Sequence, residues 1–450
     1  MMALQHRLKG SMAIMTAPRH RPQAPCDQKA RDSRFVDAGT GQNRLNPAYL
    51  RPQLRGIKPA YRIMTQAEAI DRYFALCVRG ILAGAPIPAW PDDLTGADVI
   101  ALATQRLEYH GIALLIAQSD TKAPNWPSPL SKALSDQARL QAIWESDHAA
   151  AITRLIDRLH HADFQTIMMK GTALAYSVYQ DPALRRRGDT DLLIESMSRE
   201  NVRRIFLQCG FQSGRDKRAL QETWVCHSRS GFTHQVDLHW DASSSMAIAA
   251  AIGRDHPRQR TMPLPRLSSQ AVGTGPIDSF IQICINRTGH EAFGYHIEDG
   301  KVLDGDRLIW ALDLHYLAAD FTPQDWQNLA RISKNWGAAK AVASALDFAS
   351  QMLGTQCPPD GLGKLEEAAN EDGIICIYYA SSTSTVHRFK MDFAAAPTFS
   401  AKLKLITERV LPDRTFMGER YPESDHLPLA ALHLRRMLDA AARMLLGRSR

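Results

Sequence analysis

The chain has 450 residues, 45% hydrophobic and 22% charged, with a formal net charge of +7. That length suits two or three domains at roughly 150 residues each, and the composition is close to that of an ordinary globular protein. No run of about 18 apolar residues occurs, which argues against a transmembrane helix. The opening MMALQHRLKGSMAIMTAP is broken by His6, Arg7 and Lys9 before any apolar stretch develops, which argues against a signal peptide.

The positive charge has an address. Residues 1–63 hold 12 Lys/Arg against three acids, a net of +9, and the remaining 42 basic and 44 acidic residues net to −2. The segment 1–63 is rich in Pro, Gly, Gln and Arg without apolar periodicity, and is expected to be a disordered basic tail. Such a tail can touch nucleic acid or an anionic surface, but the near-neutral remainder makes nucleic acid an unpromising partner for the body. Seven scattered cysteines with no C-x-x-C pair support neither a disulfide framework nor a zinc site. Buried as small apolar residues, they fit a reducing, cytoplasmic setting.

Three helical stretches come first. Residues 66–82 space Ile70, Phe74, Cys77 and Ile81 on one face. A Pro-rich loop precedes a second helical stretch over 96–118, and another precedes a long one over about 130–161. Asp147, His148, His160 and His161 lack metal-ligand spacing and read as surface or structural residues. Residues 64–164 are therefore expected to form an N-terminal helical region.

From Gln165 the texture changes. TIMM (166–169) reads as a short strand, GTALAYSVYQ as a helix, DTDLLIE as a strand, and 198–209 as a helix. FQSGR, ETWVCHSRS and THQVDLHW read as three further strands. The order β-α-β-α-β-β-β predicts an α+β fold, with a small mixed sheet over about 165–245 flanked by helical regions on both sides. A polar linker is expected over 253–276, and helices dominate a C-terminal region spanning 246–450. Its last helix is amphipathic and basic, and suits packing on its own domain or lying on a membrane.

Asp189 and Asp191 lie two apart on a predicted strand, so both carboxylates share a face about 7 Å apart. Two acids so placed repel unless a cation sits between them, and hard oxygen donors suit Mg²⁺ or Mn²⁺. Asp237 in V-D-L-H-W is the natural third donor, and carboxylates on adjacent strands can clamp both oxygens of a phosphoryl displacement. An isolated D-x-D is also what a solvated strand end looks like. Here Gly188 precedes the pair, an apolar strand follows it, and the helix opened by Lys170-Gly171-Thr172 lies upstream. A helix N-terminus with a glycine turn can cradle phosphate, and Lys170 and Arg185 can add charge toward it.

These residues together resemble the DNA polymerase β nucleotidyltransferase superfamily: a glycine-led helix, then D-x-D/E, then a third acid on a later strand. More narrowly, the chain resembles an uncharacterised bacterial nucleotidyltransferase family that recurs in peptide and polysaccharide biosynthesis clusters. The match runs through Lys170-Gly171-Thr172-Ala173, Asp181-Pro182, Arg185, Gly188-Asp189, Asp191 to Ile194, Val236 to Trp240, and Arg307 to Asp313. The resemblance implies that Asp189, Asp191 and Asp237 bind the metals, with Mg²⁺ or Mn²⁺ as cofactor and an NTP as substrate. It further implies that Lys170, Gly171, Thr172, Arg185 and Gly188 face the triphosphate. His239 would orient Asp237, meet the substrate, or serve the fold alone. The acceptor would be a small molecule, a peptide or a protein. Two departures stand out: Gly171-Thr172 replaces a Gly-Gly/Ser turn, and Arg186-Arg187 replaces a usual Pro-Met pair.

Other chemistries fit less well. A Walker loop needs Gly-Lys-Ser/Thr, and Lys170-Gly171-Thr172 has the wrong order. His290-Glu291 meets Gly294 where a zincin needs its second histidine. Asp313 reads as a helix cap or interdomain ion pair, with a nucleotide contact as the alternative; Trp240 and Trp310 read as core, with base stacking as theirs. The alternatives to catalysis are an inactive nucleotide-binding scaffold of the same fold, and a nucleic-acid binder using the basic arm.

Overall fold

A computed structural model describes residues 65–119, 125–194, 198–296, 302–303, 305–412, 414–424 and 426–445. The basic segment 1–63 lies outside the described residues. Residues 63–450 form one compact unit.

Four helices open it: α1 (Gln66–Leu82), α2 (Ala97–His110), α3 (Ala113–Gln118) and α4 (Ser128–His160). Thr65 starts α1 with a capping box closed by Glu68. The stretch expected as one helix over 96–118 is two, because Gly111 adopts φ +69° and turns the chain between them.

The α+β core follows the predicted order: β1 (Ile167–Met169), α5 (Lys170–Ser177), β2 (Asp189–Leu193), α6 (Arg199–Gln208), β3 (Gln212–Lys217), β4 (Gln221–His227) and β5 (Thr233–His239). A short helix α7 (Met246–Ile252) leads to β6 (Thr261–Pro263) and β7 (Val272–Thr274). The segment expected to be a linker thus supplies two strands. Their shortness hides them from period-2 reading, and they become strands by pairing with each other and, for β7, by lying parallel to β1. The result is a seven-stranded mixed sheet in the order β3-β4-β5-β2-β1-β7-β6.

The C-terminal half contains α8 (Pro276–Phe293), the small hairpin β8 (Tyr295–His296) and β9 (Val302–Leu303), then α9 (Leu308–Ala319), α10 (Pro323–Asn335), α11 (Ala339–Leu353) and α12 (Pro359–Ala368). It continues through α13 (Ile374–Tyr379), α14 (Thr385–Ala395), α15 (Phe399–Val410), α16 (Arg414–Arg420) and α17 (Leu429–Leu445). Helices from both ends of the chain merge into one core: Phe74, Leu107 and Leu130 share it with Phe280, Trp310, Trp336 and Val342. A second core lies under the sheet, where Leu192, Val236 and Leu238 meet Ile152, Leu155 and Phe206 from α4 and α6. No helix among the described residues is long and apolar enough to cross a membrane. The six described cysteines are free.

Candidate active site

β2 is central, running antiparallel to β1 and parallel to β5. The parallel register sets Asp191 opposite Asp237, and registered neighbours in a sheet share a face at a strand spacing of about 4.8 Å. Asp189 lies two residues back on that face. The intervening Thr190 and Leu192 are buried on the other face, together with Val236 and Leu238. Strand alternation alone therefore delivers three carboxylates to one side and an apolar floor to the other.

Each carboxylate has a different set of partners. Asp191, 6% exposed, accepts hydrogen bonds at Oδ1 from Lys170 Nζ at 2.7 Å and His239 Nε2 at 2.9 Å. Asp237 is steadied by Gln221 Nε2 at 2.7 Å, Thr223 Oγ1 at 2.9 Å and Gln235 Nε2 at 3.2 Å. Asp189 has no hydrogen bond among the described residues, and its carboxyl is pushed up to about 7 by burial and by the charges of Asp191 and Asp237. Burial and Asp191 likewise raise Asp237. Burial alone would raise Asp191 too, but Lys170 and His239 outweigh it and hold the carboxyl below the usual range. For Lys170, burial is outweighed in turn by Asp191, which keeps the ammonium charged.

Lys170 reaches Asp191 from an unusual backbone. It follows β1 directly and opens α5 with φ +49°, a left-handed conformation that costs a non-glycine residue about 1 kcal/mol or more. The strained residue is thus Lys170, and Gly171 has ordinary surroundings. A Cβ on Gly171 would meet Arg185 Nη1 and the Arg187 side chain at 3.5 Å, normal contact distances. Thr172 is 1% exposed and turns its hydroxyl away from the acids to Thr190 Oγ1 at 2.9 Å. Only the backbone of Thr172 is therefore left for a ligand on the acidic side. Gly188 is exposed immediately before Asp189.

Arg185, expected to face a triphosphate, is committed elsewhere. Its Nε and Nη2 donate to the two oxygens of Asp313 at 2.7 Å each, and Tyr179 donates to the same carboxylate. All three are buried. Asp313 does form an ion pair as foreseen, within one compact unit, and it ties the loop before β2 to α9. Arg186 reaches Glu108 at 2.7 Å, and Arg187 reaches Glu145 at 2.8 Å, so the departure from Pro-Met becomes two ion pairs. Trp240 and Trp310 are both buried in the cores.

Sequence reading missed three features. Gln221 and Thr223, which hold Asp237, carry only the faint signal of polar residues alternating on a strand that faces the acids. Behind Thr190 lies a polar chain: Thr190 Oγ1 meets His148 Nε2 at 2.8 Å, and His148 Nδ1 meets His234 Nδ1 at 3.2 Å. Arg187 Nε reaches Thr172 at 3.1 Å, while Tyr176 donates to Glu145 at 2.5 Å. His148 is thus structural and buried, whereas His160 is exposed. The signal was available, since Gln141, Glu145, His148, Ile152, Leu155 and Leu159 are spaced as one buried helix face. The third feature is Tyr379 at the end of α13, whose phenol is raised by burial while Lys170 acts to lower it.

The donor chemistry suits a hard divalent cation: three carboxylates on one face, two of them with pKa values raised by burial and by their neighbouring acids. They are not drawn together, however. Among the described residues no group of three or more His, Cys, Asp or Glu side chains is gathered as a metal site. Lys170 holds Asp191, while Gln221 and Thr223 hold Asp237.

A family model described as an uncharacterised nucleotidyltransferase matches residues 99–354, more than half the chain. The chain belongs to that family. A search of curated proteins finds no match. Among solved structures, an antigenic nucleotidyltransferase-like protein from Paracoccidioides brasiliensis is similar over 49% of this chain and 93% of its own, at 14% identity and a TM-score of 0.31. That likeness is too low to transfer any residue's role.

Proposed function

We propose that the protein is a metal-dependent nucleotidyltransferase, moving a nucleotidyl group from an NTP to a hydroxyl or phosphate of a small-molecule, peptide or protein acceptor. A place in a biosynthetic cluster suits that reaction. In such a transfer the acceptor oxygen bonds to the α-phosphorus and the bond to pyrophosphate breaks. The observation that carries the reading is the register of Asp191 against Asp237 beside an unpartnered Asp189 of raised pKa. Such an excess of negative charge on one face is stabilised by binding cations.

Asp189, Asp191 and Asp237 would hold Mg²⁺ or Mn²⁺, which when bound supplies Lewis-acid stabilisation of the charge developing on phosphoryl oxygens. Lys170 would exchange its contact with Asp191 for the phosphates, a short swing for a flexible point charge. The backbone of Gly171 and Thr172 at the start of α5 would supply amide donors, with Gly188 leaving open space beside Asp189. His239 would keep Asp191 oriented. Arg185 would act at one remove, by fixing the β2 approach through Asp313.

The test is incubation of the purified protein with each α-labelled NTP, Mg²⁺ and cell extract. A labelled acceptor that vanishes in Asp191→Asn supports transfer. Nucleotide binding without label transfer under any of these conditions would instead favour the scaffold reading, for which the Lys170–Asp191 pair is the supporting observation.

A further inference from the structure

Five arginines are buried among the described residues: Arg106, Arg185, Arg187, Arg287 and Arg307. Four sit on carboxylates, namely Asp71, Asp313, Glu145 and Asp306. Arg307 does not. It is 8% exposed, and its one hydrogen bond runs from Nε to the carbonyl of Tyr109 at 2.6 Å. Both Nη groups lack a partner among the described residues.

The surroundings of Arg307 hold a cation without neutralising it. Its guanidinium lies 4.4 Å from the ring centroid of Tyr295, 5.5 Å from Tyr109 and 5.7 Å from Trp310. Aromatic faces attract the charge from above and below its plane, but the N–H donors lie in the plane and need acceptors there. Burial lowers the pKa of Arg307, and Arg185 and Arg186 add like-charge repulsion. The Nη groups are not among the buried polar atoms left without a partner, so they stay open to an incoming anion. The planar fork is a good match to a phosphate or carboxylate.

Arg307 lies beside the loop that leads into β2: its Nη2 and the side chain of Arg186, three residues before Asp189, both flank Gly111. Tyr295 contributes to the electrostatics of both Arg307 and Arg185. Arg185 in turn touches the space above Gly171 and acts on Asp189. Arg307 also begins α9, whose N-terminal end favours negative charge.

We propose that Arg307 anchors an oxyanion subsite, its free Nη groups binding a phosphate of one of the reactants while Tyr109, Tyr295 and Trp310 wall the guanidinium. This assignment rests on the nucleotidyl-transfer reading of the neighbouring acids. The phosphate belongs either to the tail of the NTP or to the acceptor. Arg307 thereby takes the anion-binding duty that Arg185, clamped on Asp313, cannot perform.

The probe is tripolyphosphate, titrated calorimetrically into the full chain without divalent cation, with wild type, Arg307→Gln and Arg307→Lys compared. Loss of a charge-assisted contact of this kind should weaken binding about tenfold or more in Arg307→Gln. Arg307→Lys should lie between, because it keeps the charge and loses the fork. Residues 1–63 give a common background that the substitutions do not alter. A second measurement needs no variant: phenylglyoxal modification of Arg307 in the wild-type chain, mapped by peptide mass spectrometry, should be slowed by tripolyphosphate. Unchanged affinity in a folded Arg307→Gln, or modification that tripolyphosphate leaves unslowed, overturns the subsite.

Inorganic phosphate titrated into protein saturated with Mg²⁺-NTP separates the sources. Arg307-dependent binding that survives assigns the acceptor's phosphate, and binding that is displaced assigns the NTP tail. Asp191→Asn separates this proposal from the reading beneath it. If that variant handles NTP as wild type does while Arg307→Gln still loses tripolyphosphate, the metal reading falls and the oxyanion site stands.

Discussion

Along β2 alternate side chains enter two different environments. Asp189 and Asp191 face a surface where three carboxylates meet one ammonium, that of Lys170, and two of the three have raised pKa values. Thr190, between them, faces a buried chain of His148, Thr172, Arg187 and Glu145 in which charges meet charges and hydroxyls meet donors. The first environment carries an excess of negative charge; in the second the charges are paired. An excess of charge that folding alone cannot relieve marks a place where a ligand belongs. Satisfied polarity marks a place that holds the architecture together.

That contrast can be broken experimentally, and the largest effect should come from the acidic side. Asp191→Asn or Asp189→Asn should abolish label transfer, because each removes a charge that the proposed metal needs while leaving its volume in place. Transfer at the wild-type rate in either variant would remove the metal-site reading.

On the paired side the expected effect is on stability. Glu145→Ala leaves the Arg187 guanidinium buried without its carboxylate, and should cost about 3–5 kcal/mol in urea unfolding. The paired replacement Arg187→Met with Glu145→Gln should recover much of that loss, since neither charge is then stranded. Equal losses in the single and double variants would mean that the pair itself matters less than the packing around it.

A smaller effect, in pH, distinguishes the two acids of β2. The Asp189 carboxyl is raised from its ordinary 3.8 to about 7, so protons stabilise the folded chain there. That contribution is complete below the unfolded pKa of about 4 and is lost as pH rises toward 7. Asp191 is lowered, so its contribution is present above about 4 and is lost as pH falls below that. Melting temperature should therefore decline between pH 5 and 8 more in wild type than in Asp189→Asn, and Mg²⁺ should raise it more at pH 8 than at pH 5. An identical slope in both proteins would show that Asp189 does not titrate in that window.

The smallest effect is expected at Gly171→Ala. The added Cβ meets ordinary contacts and the backbone there is not left-handed, so stability should change by no more than about 0.5 kcal/mol. A large destabilisation by calorimetry would show that α5 leaves the Lys170 turn under tighter constraint than its contacts indicate.

The sequence by itself determined what is local. Period-2 alternation put Asp189 and Asp191 on one face, apolar spacing placed α1, α4 and α6, and the β-α-β-α-β-β-β order gave the α+β class. Local pattern read His148 as structural, although its burial, on one helix face with Glu145, went unseen. Tertiary structure decided whatever depends on partners far along the chain. The Asp191–Asp237 register needs β5 to lie parallel to β2, and β6 and β7 exist only through pairing with each other and with β1. Arg185 and Asp313 are 128 residues apart. No spacing rule connects them, and their ion pair redirects an arginine that the motif alone would aim at phosphate. The same long-range packing sets Arg307 among aromatic rings, with no carboxylate on it among the described residues. Side-chain periodicity is a property of a few consecutive residues, whereas charge balance is settled among groups that only the folded chain brings within a few ångströms.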